Sequence, residues 1–196
     1  YPLTEEEALS ITETRRFFDI KALEDIATNV MTPLKENEKF DTRNGLVRIF
    51  KPPMPGINYV IYTDPSMGRE DPSHIIVIKN STKEEVASAN FMLPADEAAV
   101  IHDSLSRYYN NAWNSFEYNS MAGGVFRLTI ANLGTPNVMP RRRPNGTIVP
   151  KEYGIYISSS PLKKEMLSKL ASLINKRQII IHDIETIEEF NTMMWL

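Results

Sequence analysis

The apolar residues of the first fifty positions follow a helical spacing. Thr4-Glu5-Glu6-Glu7 is a capping-box pattern, which predicts a short helix that begins there. Asp19 is a predicted N-cap for a second helix that runs to about Val30, because the apolar residues behind it recur at helical intervals. A strand at Leu46–Phe50 completes a segment that we interpret as an N-terminal arm over residues 1–50.

The segment Lys51–Gly56 contains three prolines and a glycine, so it predicts a boundary with a main domain over residues 51–196. Three β-prone runs then follow in quick succession, which predicts an antiparallel meander, and helices and strands alternate after it. Asn145-Gly146 predicts an inserted β-hairpin. The other predicted elements are strands Tyr59–Thr63, His74–Lys79 and Glu85–Phe91, helix Pro94–Asn110, strand Trp113–Tyr118, a helix near 123–132, helix Leu162–Asn175, strand Gln178–His182 and helix Ile184–Met194.

This order predicts an α/β fold with a mixed five-stranded sheet flanked by helices. Three antiparallel strands followed by β-α-β units are typical of the ribonuclease-H-like fold, in which the first and fourth strands are parallel neighbours. Asp64 ends the first of these strands and Glu117 lies in the fourth, which would put their carboxylates roughly one strand spacing, about 4.8 Å, apart. Two-metal sites hold their ions about 3.5–4 Å apart, so such a pair could share a metal ion.

Each of these acids also has a simpler interpretation. Asp64 precedes a proline and is typical of a residue that opens a turn, here Asp64–Gly68. Glu117 is also consistent with an exposed strand end, since glutamate is a poor strand former and is seldom buried unpaired. The residues by themselves leave both alternatives open.

The composition of the chain limits the kinds of site that it can contain. The chain has no apolar run of membrane-spanning length and an acidic start, so we expect a soluble, unexported protein that does not bind membranes. It has no cysteine, which excludes disulfides, thiolate metal sites and a cysteine nucleophile. His74, His102 and His182 lack the paired HExxH spacing, which disfavours a zinc site, and we interpret His102 as a helix-surface residue.

Charge is segregated along the chain, although the net charge is only -3. Residues 127–177 contain ten Lys or Arg and two acids, which gives +8, so the remainder carries -11. Arg141, Arg142 and Arg143 precede the hairpin turn and would present three guanidinium groups to DNA phosphates. A solvated loop, or an arm that docks on acids of a neighbouring domain, is the alternative.

Two motifs together resemble the nuclease domain of viral terminase large subunits, the motors that package double-stranded DNA into capsids. The first is Asp64–Ser73 followed by a β-strand, and the second is Glu117–Gly123 some fifty residues later. The likeness covers nearly the whole chain in order. It includes Tyr1–Ala8, which resembles the segment that joins the ATPase and nuclease halves of these motors, and Tyr153–Tyr156, Ile179–Asp183 and Glu189-Phe190.

The resemblance implies a two-metal site that binds Mg²⁺ or Mn²⁺. Asp64 would be the first bridging carboxylate, Glu117 the second and Asp71 an auxiliary acid. The family carries an Asp-Asp pair beyond the segment that matches Glu189-Phe190, and this sequence lacks it. Either the sequence is truncated, or Asp183 or another C-terminal acid substitutes, or the isolated domain is inactive.

The expected function is metal-dependent cleavage of double-stranded DNA during viral genome packaging, with little sequence preference. The predicted DNA contacts are Arg141, Arg142, Arg143, Lys151, Lys163 and Lys164. The sequence has no GxxxxGK[ST] phosphate loop, so this chain is not itself the ATPase. The resemblance implies that the ATPase domain lies upstream on the same polypeptide. The resemblance also implies the portal protein and the small terminase subunit as partners, and the host cytoplasm, at the procapsid, as location. The alternatives are a junction-resolvase-like or transposase-like nuclease and a non-enzymatic module that grips DNA or docks on the motor.

Overall fold

The computed structural model describes residues 16–34, 41, 43, 46–143, 145–155 and 160–194. The helix predicted at Thr4 lies outside these residues. The strands are β1 (Val47–Ile49), β2 (Tyr59–Asp64), β3 (Ser73–Lys79), β4 (Glu84–Phe91), β5 (Trp113–Phe116), β6 (Pro140–Arg142) and β7 (Ile148–Tyr153). The helices are α1 (Ile20–Ala27), α2 (Ala95–Tyr108), α3 (Met121–Leu133), α4 (Ser160–Asn175) and α5 (Ile184–Thr192).

The main sheet is five-stranded and mixed, with the order β1-β4-β3-β2-β5. β1, β4, β3 and β2 pair antiparallel, whereas β5 runs parallel to β2. The parallel pair requires a crossover, and α2 supplies it between β4 and β5. The predicted mixed α/β sheet and its parallel first and fourth strands are therefore confirmed.

One predicted strand is wrong. Within the described segment Gln178–His182 only Ile180 pairs with the sheet, through an isolated bridge to Glu84, and the residues after it form no strand. The reason is that the Glu85 carboxylate accepts hydrogen bonds from the backbone N–H groups of His182 and Asp183, both at 2.9 Å. The fifth strand is instead β1, at the edge of the sheet.

β1 also bears on the predicted arm over residues 1–50. Its residues Val47 and Ile49 are buried and pair with Ala89 and Ala87 of β4. β1 is therefore part of the main sheet, although it precedes the predicted boundary at residue 51. The division into an arm and a nuclease domain stays a prediction.

One face of the sheet carries the main core. Alternate strand residues such as Ile61, Ile75 and Val77 are fully buried there. α2 and α3 cover this face, and the apolar stripe predicted for α2 is buried through Ala98, Ile101 and Leu105. The opposite face of β2 and β5 lies outside this part of the core.

A second, smaller core joins α1 to α4 and α5. Its buried residues are Phe18, Ala22, Leu23, Ile26, Ile174, Ile179, Ile181 and Ile187. Asp19 caps α1 as predicted, because its side chain accepts a hydrogen bond from the Ala22 N–H at 2.7 Å. Among the described residues no helix is both long and apolar enough to cross a membrane.

The predicted hairpin is confirmed as β6 and β7, which pair antiparallel. The residues at the two ends of the hairpin extend the main sheet beyond β5. Met139 donates to the Asn114 carbonyl at 2.8 Å, and Ile155 donates to the Phe116 carbonyl at 2.8 Å. The hairpin is thus attached to the strand that leads to Glu117.

Candidate functional site

Asp64 and Glu117 lie at the same end of two neighbouring parallel strands. Tyr62 pairs with Ser115 and Thr63 with Phe116, and the Glu117 N–H donates to the Thr63 carbonyl at 3.0 Å. Side chains alternate along a strand, and Thr63 and Phe116 are fully buried in the main core. Asp64 and Glu117 therefore share the opposite face, as the sequence predicts.

The two acids line one cleft of about 510 Å³. The loop between β2 and β3 forms one wall, which includes Arg69 and Asp71, and the first turn of α3 forms the other. The simpler interpretation of Asp64 as a residue that opens a turn also agrees with the structure, because Asp64 directly precedes this loop. The acid both ends a strand and begins a wall of the cleft.

Gly68 fixes how closely this loop approaches the body of the domain. Its φ is +68°, and a Cβ there would lie 2.6 Å from the backbone of Leu93. Ser66 closes the loop further, since its hydroxyl donates to the Asp71 carbonyl at 2.6 Å and accepts from the Gly68 N–H at 2.9 Å. The cleft wall is therefore held by local hydrogen bonds.

The acids repel each other electrostatically. Partial removal from water raises the pKa of Glu117, the negative charge of Asp64 raises it further, and Lys163 opposes both effects. Removal from water also raises the pKa of Asp64, with a contribution from Asp71, against the lowering effects of His74 and Lys163. Two carboxylates whose pKa values are raised, mainly by partial burial, in one cleft are typical of a functional site.

Asp71 and Lys163 both lie near the acid pair, as their effects on its pKa values show. Asp71 is exposed on the cleft wall. Even so, the described residues contain no group of three or more Asp, Glu or His placed to hold a metal ion. The roles of Asp64, Glu117 and Asp71 as metal ligands stay predictions.

Asp183 does not support its predicted role as a metal ligand. It is buried, forms an ion pair with Arg48 at 2.7 Å and accepts a hydrogen bond from the Ser88 hydroxyl at 2.6 Å. Its other oxygen caps α5 by accepting from the Glu185 N–H at 3.1 Å. Both carboxylate oxygens are committed to docking α5 on β4 and β1, so we correct the assignment to a structural one.

His102 is fully buried, so its interpretation as a helix-surface residue is wrong. It bonds Thr63 and Asn114 across the core, and burial lowers its pKa to about 4. The signal was present in the sequence, because His102 follows Ala98 by four positions and so falls on the apolar stripe of α2. A polar residue on that stripe predicts a buried partner.

The three hairpin arginines are not equivalent. Arg141 forms an ion pair with Glu152 across the hairpin. Arg142 donates to the Gly146 carbonyl at 3.2 Å, and the side chains of Arg142 and Arg143 are exposed near the tip. Arg141 is therefore paired within the hairpin, and DNA contact by Arg141, Arg142 and Arg143 stays a prediction. Lys151 and Lys164 are exposed.

In structure the chain is similar to nuclease domains of phage large terminases. The large terminase nuclease from thermophilic phage G20c with bound magnesium has a TM-score of 0.69 at 16% identity, over 93% of this chain and 82% of that chain. The Thermus phage P74-26 domain has a TM-score of 0.60 at 17% identity, over 87% and 76%. The P22 domain has a TM-score of 0.50 at 13% identity, over 89% and 77%.

The G20c nuclease is also known with bound cobalt and with bound zinc. No protein-family model and no curated protein matches the chain. The chain therefore has the fold of these nuclease domains, which confirms the predicted ribonuclease-H-like architecture.

Proposed function

We propose that the chain is the metal-dependent endonuclease domain of a viral terminase large subunit and hydrolyses double-stranded DNA during genome packaging. The observation that carries the proposal is the pair Asp64 and Glu117, two mutually repelling carboxylates in one cleft. The fold shared with large terminase nuclease domains supports the same assignment.

The donor set fits a hard divalent cation. Asp64 and Glu117 supply carboxylate oxygens, the ligands that Mg²⁺ and Mn²⁺ prefer, and Asp71 adds an auxiliary carboxylate on the cleft wall. Their raised pKa values fit as well, because a bound cation would relieve the repulsion. When bound there, two such ions supply a nucleophilic water and neutralise the leaving oxygen of the phosphodiester.

The protein's own residues orient the DNA. Lys163 lies close enough to lower the pKa values of both acids and is exposed, so it would contact a phosphate beside the reacting bond. The first turn of α3 borders the cleft, and helix N-termini favour anions. Arg142 and Arg143, with Lys151 and Lys164, would bind the backbone farther out without reading sequence.

Plasmid nicking in Mg²⁺ or Mn²⁺ tests the assignment. Asp64→Asn and Glu117→Gln are each expected to lower the rate by at least about 100-fold, since metal-ion catalysis contributes several kcal/mol. Glu97→Gln is the matched control, because Glu97 is an exposed acid on α2, which covers the opposite face of the sheet. If either site variant nicks DNA at the wild-type rate, the assignment of that residue is wrong.

A second candidate function is a DNA-gripping module without activity. One observation favours it, since no third acid or histidine completes a metal group with the pair in the described part of the chain. A Mn²⁺ titration with two readouts separates the candidates. DNA retardation in a gel without nicking at any Mn²⁺ concentration supports the module, whereas nicking that saturates with Mn²⁺ supports the nuclease.

The wider setting is also part of the proposal. An ATPase domain on the same polypeptide, the portal protein, the small terminase subunit and a location at the procapsid in the host cytoplasm follow from the terminase likeness. A junction-resolvase-like activity would cut four-way junctions in preference to linear duplex, so both substrates belong in the assay.

A further inference from the structure

Three polar residues lie buried directly behind the acid pair. Thr63 of β2, His102 of α2 and Asn114 of β5 are all fully buried. The Thr63 hydroxyl lies 2.7 Å from His102 Nδ1, and His102 Nε2 lies 2.8 Å from Asn114 Oδ1. These three residues, here called the strut, connect the two strands that end at Asp64 and Glu117.

The direction of each hydrogen bond in the strut follows from Asn114. Its amide nitrogen donates to the carbonyls of Ala112 at 2.7 Å and Pro136 at 2.5 Å, so Oδ1 faces the histidine. His102 Nε2 must therefore carry the proton and donate. A neutral ring then accepts at Nδ1, which requires the Thr63 hydroxyl to donate. Burial favours this neutral form of His102. Each side-chain nitrogen and oxygen atom of the strut has a hydrogen-bond partner.

Stability alone does not require these residues. The surrounding main core is aliphatic and aromatic, and apolar groups of the same shape can replace a buried polar set with little loss of stability. A satisfied network does fix distances, because a hydrogen bond tolerates little change in length. β5 is only four residues long, so its backbone ladder with β2 is short and the strut adds a side-chain link.

We propose that His102 is a positioning residue that, with Thr63 and Asn114, sets the separation of the Asp64 and Glu117 carboxylates for a divalent cation. The inference rests on the proposed function. Thr63 directly precedes Asp64, and Asn114 lies three residues before Glu117. If the distance between β2 and β5 changes at the strut, the distance between the Asp64 and Glu117 carboxylates on the other face of the sheet therefore changes with it.

Thr63→Val tests the strut because it keeps the shape of the side chain and removes the hydroxyl. The measurement is the Mn²⁺ dissociation constant of the chain without DNA, by electron paramagnetic resonance, well below the Tm of each variant. We expect Thr63→Val to weaken Mn²⁺ binding by about 10-fold or more, the range seen when groups that orient metal ligands are lost. Thr63→Ser keeps the hydroxyl and is expected to recover most of the affinity.

Thr186→Val is the matched control. It removes a buried threonine hydroxyl in α5, one that contacts Glu85 rather than the strut. It is expected to lower the Tm without changing Mn²⁺ affinity. If Thr63→Val does not fold, His102→Gln takes its place, since its amide keeps a donor for Asn114 but its flexible chain lacks the rigid ring that spans Thr63 and Asn114.

The outcomes separate the two proposals. Wild-type affinity in Thr63→Val, with only a lower Tm, would overturn the strut as a positioning device and leave the nuclease proposal intact. A wild-type chain that binds no Mn²⁺, with Asp64→Asn giving the same signal, would instead overturn the proposed metal site itself. Weak binding in Thr63→Val together with recovery in Thr63→Ser supports the strut.

Discussion

Glu85 is a carboxylic acid buried where β4 meets the segment that leads into α5. It is fully buried, and one of its oxygens accepts hydrogen bonds from the backbone of His182 and Asp183, each at 2.9 Å. Burial raises the pKa of Glu85 from 4.5 to about 7, against the lowering effect of these two hydrogen bonds. The Asp183 charge adds to the increase.

This shift makes the free energy of unfolding depend on pH. Between pH 4.5 and about 7 the unfolded chain releases the Glu85 proton while the folded chain keeps it. The contribution of Glu85 to stability is therefore fully present below pH 4.5 and is lost as pH rises through 7. At about 1.36 kcal/mol per pKa unit, the loss amounts to about 3 kcal/mol.

Glu85→Gln keeps the shape and a carbonyl acceptor but cannot ionise. The unfolding free energy of the variant minus that of the wild type is therefore expected to increase by about 3 kcal/mol between pH 4.5 and pH 8. Urea denaturation followed by circular dichroism at both pH values measures it, with Glu97→Gln on the exposed face of α2 as control. A difference that is independent of pH would refute the conclusion that Glu85 is protonated in the folded protein near neutrality.

Three further predictions concern Asp64, Gly154 and the arginines of the hairpin. Asp64→Asn removes a repelling charge, so thermal denaturation without metal should give a higher Tm than the wild type and no increase on adding Mn²⁺; a lower Tm contradicts the repulsion. Gly154→Ala, at φ +89° and with a Cβ 2.9 Å from a backbone oxygen of β5, should lower the unfolding free energy by about 2 kcal/mol or more in urea; a neutral effect contradicts the close approach. Replacing Arg142 and Arg143 together by Ala should reduce the slope of log affinity for DNA against log salt by about 2. Replacing Arg141 by Ala and Glu152 by Gln together, which removes an ion pair and leaves the net charge unchanged, should change the slope little; equal slopes for all variants would remove the hairpin from the DNA surface.

The sequence by itself determined the elements whose signals are local. The Asp19 cap, the apolar stripe of α2, the β-prone run that ends at Asp64 and the turn at Asn145-Gly146 each depend on a few neighbouring residues. The order of those elements is typical of the ribonuclease-H-like fold, in which the first and fourth strands are parallel neighbours, as β2 and β5 are here. That is why the convergence of Asp64 and Glu117 could be predicted without coordinates.

The tertiary structure decided what depends on partners distant in the chain. The apolar stripe of α2 indicates that His102 is buried, but only the tertiary structure identifies its partner Thr63, 39 positions away. In the same way, Asp183 is identified as an ion-pair residue only through Arg48 and Ser88. Local patterns likewise could not determine which apolar run would become the fifth strand. Edge pairing depends on which backbone N–H groups donate to strand carbonyls, and in the C-terminal segment the N–H groups of His182 and Asp183 donate to the Glu85 carboxylate instead.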